Sequence, residues 1–95
     1  MAKKQGLGQA IKTVRAARGL SQEAFSDVSS RTYLSTLERG LKSPTLSKLA
    51  ELCEVMQIHP LTLLTLAYAN GLGGAEQLLA QVRDELESIL ASGHP

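Results

Sequence analysis

The stretch from Ser21 to Gly40, SQEAFSDVSSRTYLSTLERG, constrains this chain more than any other. It reads as two short helices joined by a tight turn. Ser21 is a capping candidate for the first, because its hydroxyl can accept an N–H of the opening turn. Glu23 lies in that turn, where the helix dipole favours a carboxylate. Phe25 and Val28 are three apart and share a face. Ser30 is the next capping candidate, and Arg31 to Arg39 reads as the second helix. Tyr33, Leu34 and Leu37 point one way along it, while Arg31, Thr32, Ser35, Thr36 and Arg39 point largely the other. Gly40 is the stop, because glycine enters the left-handed cap conformation freely.

The flanking sequence supplies further helices. Leu7, Ala10, Ile11 and Val14 recur at three and four, which predicts a helix from about Leu7 to Arg18, ended by Gly19. Ser43-Pro44 reads as a cap followed by proline at the first helical position, opening a helix with Leu46, Leu49, Ala50, Cys53 and Met56 inward. His59-Pro60 repeats the pattern, with Leu61, Leu64 and Leu66 as core candidates. NGLGG, residues 70–74, predicts a break. A last helix is expected from about Ala75 to Ala91. Its residues Ala75, Leu79, Val82, Leu86 and Ile89 are spaced 4, 3, 4, 3, a short heptad seam. The composition is aliphatic, with one Phe, two Tyr and no Trp, and suits packed helices. The expected fold is all-α: a compact five-helix bundle over residues 1–70, then a C-terminal amphipathic helix in residues 71–95.

A short helix, a tight turn and a second helix with a polar outer face is the plan of a DNA-reading helix-turn-helix. The ordered set LSQEAF, SRTYLSTLERG, KSPTLSKLAEL and HPLTLL resembles the Cro/C1-type, lambda-repressor-like (XRE) helix-turn-helix family over roughly Ile11 to Leu66. One departure is visible. The family usually has two more residues, often a Gly-Val turn, before the Ser-Arg-x-Tyr start; here Phe25 runs to Tyr33 by a shorter path, which bears on the turn and on the docking angle.

The resemblance implies a sequence-specific regulator of transcription, with Arg31, Thr32 and Thr36 as base-reading residues. An arginine can pair bidentately with guanine, and a threonine offers a hydroxyl plus a methyl that can meet thymine. It assigns Gln22, at the opening of the first short helix, to a phosphate, with Arg39, Lys42, Ser43 and Thr45 around the following loop. Such contacts fix register and carry no sequence information. It also suggests that Arg15 pairs with Glu38. Lys3 and Lys4 are candidates for a basic arm.

Other chemistry has little support. His59 and His94 lack ligand-type neighbours at metal spacing, the serines lack a plausible base, and residues 71–74 follow no strand and so make no nucleotide loop. Neither an enzyme nor a cofactor is expected. Cys53, the sole cysteine, reads as a small core residue in a reducing compartment. No apolar run is long enough for a membrane helix, and no secretory segment opens the chain, so the expectation is cytoplasmic; the family resemblance implies a nucleoid-associated protein of bacterial or phage origin. The net charge is +1, but residues 1–70 hold nine Lys/Arg against five Asp/Glu, and residues 71–95 one against four. A basic body suits a polyanion; the acidic end suits another task. The seam of Leu79, Val82, Leu86 and Ile89 must be buried, either by folding back on its own bundle or against the same helix of a second chain. The heptad spacing favours the second, a homodimer interface shared with Leu63 and Leu66. Two functions fit: a dimeric repressor on a pseudo-palindromic operator, or an antitoxin that binds a toxin and autoregulates its operon.

Overall fold

A computed structural model describes residues 6–92. Lys3, Lys4 and His94 lie outside the described residues. The described chain is all-helical, with five α-helices and one 3-10 turn. Helix α1 spans Leu7–Ala17. Its residues Ala10 and Ile11 are fully buried, while Leu7 and Val14 are partly buried against the core. Gly19, with φ +70°, ends it as expected, and the Leu20 N–H closes on the Arg15 carbonyl at 3.0 Å.

The second expected helix is instead a single 3-10 turn, Gln22–Phe25. The spacing is short: only four residues lie between Phe25 and the Ser30 cap, so Phe25 must reach the core within one turn. It does, with no exposed surface. Ser21 precedes the turn in an extended conformation and makes no side-chain cap bond. Helix α2 spans Arg31–Glu38; the Ser30 hydroxyl accepts the Tyr33 N–H at 3.0 Å, as the capping pattern predicts. Leu34 and Leu37 are buried. Gly40, at φ +75°, lets the Leu41 N–H return to the Thr36 carbonyl.

Helix α3 spans Leu46–Met56 and starts later than the Ser43-Pro44 pattern suggests. Its cap is Thr45, whose Oγ1 accepts the Lys48 N–H at 3.1 Å. That start sets the phase. Leu49, Leu52, Cys53 and Met56 turn inward, while Leu46 and Ala50, both expected inside, are exposed. The C-terminus of α3 is held from outside: Arg18 Nε donates to the Met56 carbonyl at 3.0 Å, tying α1 to α3.

Helix α4 spans Pro60–Tyr68, with Pro60 in its first turn and His59 Nδ1 accepting the Leu61 N–H. It is apolar nearly all round, so periodicity does not reveal its buried face. Packing against α1 chooses Leu63 and Ala67. Leu61 is largely exposed, and Leu64 and Leu66 are half-buried. Leu63, expected in an interface between chains, belongs to the core of one chain.

Helix α5 spans Gly71–Ser92 and begins one turn before the expected start. Ala69 is extended and Gly71 has φ +73°, which makes the corner; Gly73 and Gly74 continue as helix. Helix α5 contacts α4 through its first turns, where Gly74, Ala75 and Leu78 are half-buried, and none of its residues is fully buried.

Candidate nucleic-acid interface

The face that carries Arg31 is positioned by a buried ion pair. Arg15 Nε donates to Glu38 Oε2 at 2.6 Å, and its Nη2 donates to Oε1 at 3.0 Å. The Arg15 side chain is 16 % exposed and that of Glu38 5 %. Arg15 Nη1 also donates to the Leu20 carbonyl at 2.9 Å, and Gln22 Nε2 donates to Glu38 Oε1 at 3.1 Å. One carboxylate thus joins the end of α1, the 3-10 turn and the end of α2. Hydrogen bonding to Glu38 holds the Arg15 guanidinium pKa above its already high ordinary value. The sequence offered this pair; the structure forms it.

Two further devices fix the face, and neither is visible in the local pattern. Gly8, inside α1, lies where a Cβ would sit 2.2 Å from the Leu37 carbonyl oxygen and 2.9 Å from that of Glu38. The α1 backbone can approach α2 this closely only without a side chain there. Lys48 Nζ donates to the Val28 carbonyl, holding the turn between the 3-10 element and α2, and lies 2.9 Å from Glu51.

Arg31 and Thr32 are exposed and Thr36 is half-buried, all on α2. The Thr36 hydroxyl donates to the Thr32 carbonyl at 2.8 Å, so its proton is already committed within the helix. Arg31 Nη2 donates to Glu23 Oε1 at 3.1 Å across the turn.

The residues assigned to phosphates divide. The Gln22 amide is half-buried and committed to Glu38. Thr45 caps α3 and remains exposed. Arg39, Lys42 and Ser43 line one depression with Gly8 and Gln9, and Arg39 also borders a second with Gln9, Lys12 and Ser35. Gln9 and Lys12 therefore join the polar face. Their signal is the three-residue spacing of Gln9, Lys12 and Arg15 along one side of α1. The expected interface residues Leu79, Val82, Leu86 and Ile89 lie apart, on α5, and all are exposed.

Among the described residues, no group of three His, Cys, Asp or Glu could hold a metal ion. No helix there is long and apolar enough to cross a membrane. Cys53 is buried, and burial pushes its thiol pKa up, away from the reactive thiolate.

The short polar-faced helix, braced through the turn before it and through α1 behind it, defines a DNA-binding helix-turn-helix domain. A family model described as helix-turn-helix matches residues 11–63. No curated protein and no solved structure gives a significant match. The chain belongs to the Cro/C1-type (XRE) helix-turn-helix family, a family of DNA-binding transcription regulators that are generally not enzymes.

Proposed function

We propose that the protein is a cytoplasmic, dimeric repressor that occupies a pseudo-palindromic operator, with residues 1–70 as its DNA-binding domain and residues 71–95 as its dimerisation segment. The observation that carries this reading is the placement of Arg31, Thr32 and Thr36 on one side of a helix fixed at its C-terminal end by Glu38. Arg31 and Thr32 open α2, the end that meets base edges in this mode of docking. Thr36, its hydroxyl proton committed, offers an oxygen acceptor and a methyl. Arg39, Lys42, Ser43 and Thr45 hold phosphates, and Gln22 serves mainly to hold Glu38.

Selection of bound sequences from random duplex DNA tests it. The expected product is a pseudo-palindrome with half-site centres about 10 bp apart, one helical turn. No enriched motif, or binding undiminished at high salt, overturns the reading. On that site, Arg31→Ala is expected to cost about 1–3 kcal/mol and to relax one base position. Lys42→Ala is expected to weaken all sequences alike and to flatten the salt dependence. Uniform weakening by Arg31→Ala counts against base reading.

The dimer rests on α5. Leu72, Leu79, Val82, Leu86, Ile89 and Leu90 are each at least 40 % exposed. A helix without buried residues draws little stability from its own bundle, and most helical stability in proteins comes from packing an amphipathic face. A seam at 3.5-residue spacing matches helix-on-helix packing between two copies. Leu86→Asp is expected to give a folded monomer by sedimentation, with reduced operator affinity. A folded dimer refutes the interface. The antitoxin reading rests on the same uncovered seam; it is favoured if the wild-type chain is monomeric at operator-binding concentrations and a toxin encoded beside it covers α5.

A further inference from the structure

Glu23 has no role in the reading above, yet it is the residue that touches the proposed base reader. Its Oε1 accepts from Arg31 Nη2 at 3.1 Å, and both side chains are more than two-thirds exposed. The contact spans eight residues, from the 3-10 turn to the first residue of α2, so it crosses the turn and does not follow helix periodicity. A carboxylate beside a surface that meets phosphates lowers affinity for every DNA sequence. Its presence there therefore has to be weighed by what it does to Arg31.

We infer that Glu23 is a specificity-determining residue, which orients the Arg31 guanidinium toward a base edge and holds it back from the phosphates. This rests on Arg31 reading a base. The contact observed uses one of five guanidinium N–H groups, so a fork remains for guanine O6 and N7. With the ion pair intact, Arg31 reaches guanine without giving up Glu23. Contact with a phosphate on unrelated DNA either releases Glu23 as an unpaired anion or carries its carboxylate up to the backbone, and both are unfavourable. The pair thus penalises the wrong complex more than the right one, which is how discrimination rises at the expense of affinity.

The test uses the whole chain, with wild type, Glu23→Gln, Arg31→Ala and the double variant. Each is titrated by fluorescence anisotropy against the selected site, the same site changed at the base Arg31 reads, and an unrelated duplex, at several salt concentrations. Exposed ion pairs set the scale: discrimination at that base is expected to fall about two- to fivefold in Glu23→Gln. Affinity for the unrelated duplex is expected to rise, with the log–log salt slope steeper by about 0.9 as Arg31 gains a phosphate. In the Arg31→Ala background, Glu23→Gln should leave base discrimination unchanged. Unaltered discrimination and slope in Glu23→Gln, while Arg31→Ala still relaxes the base, overturns the role of Glu23 alone. An equal effect of Glu23→Gln with and without Arg31 also overturns it. If Arg31→Ala relaxes no base, the reading of Arg31 falls and this inference with it.

Discussion

Glu38→Ala is expected to lower the free energy of unfolding by roughly 3–5 kcal/mol in urea denaturation. Small domains have about 5–15 kcal/mol in total, so this is a large share. The cost comes from what is left behind. Arg15 stays largely buried and retains only the Leu20 carbonyl, while its Nε, its Nη2 and the Gln22 amide lose their acceptor. The paired variant Arg15→Met with Glu38→Leu should be less destabilised than Glu38→Ala, because it removes both charges together. A loss below about 1 kcal/mol for Glu38→Ala would mean that the pair behaves as an exposed one. The sign with pH is also fixed. The Arg15 pKa is raised in the folded state, so its contribution is complete below the guanidinium's unfolded value and is lost only as pH rises through the folded one. The Arg15 contribution should therefore be flat through the neutral range.

Gly8→Ala separates two opposing effects of known size. Helix propensity alone predicts a gain of up to about 1 kcal/mol, since alanine is the better helix former. The contact predicts the opposite. A Cβ at 2.2 Å from the Leu37 oxygen meets backbone, not a movable side-chain tip, so α1 and the end of α2 must separate. Overpacking of this kind costs about 1–3 kcal/mol, and here it also displaces Glu38 from Arg15. A net loss of about 2 kcal/mol is expected, together with weakened DNA binding, because α2 is the helix that moves. A variant as stable as the parent would show that the two helices slide apart freely.

Which parts of this were legible in the sequence follows from the range of each interaction. Ser30, Gly19, Gly40 and His59 act on their own neighbours, and their roles are readable from residue type and position. The stripe of α1 is equally clear. Helix α4 was ambiguous because leucines surround it; only its packing against α1 selects Leu63 over Leu61. Ser43-Pro44 pointed to a cap two residues too early, because the hydroxyl that closes on the first turn is that of Thr45. The short path from Phe25 to Tyr33 pointed to an altered turn, but not to a positioning element of one 3-10 turn. Gly8, Arg18, Lys48 and Glu23 gave the least warning. Each acts on a residue eight to thirty-eight positions away, and local pattern contains nothing about such approaches.

The docking of α1 on α4 bears on synthesis at the ribosome. The helix that covers Ala10 and Ile11, with Leu63 and Ala67, is made more than fifty residues after them. Arg18 likewise waits for the Met56 carbonyl. At translation rates of about 5–20 residues per second, that leaves the first helix uncovered for some seconds. A nascent chain stalled before α4 has the whole Ser21–Gly40 segment and the Arg15–Glu38 pair, but not the helix that covers Ala10 and Ile11. Incomplete chains thus carry the recognition sequence before the core that supports it is closed.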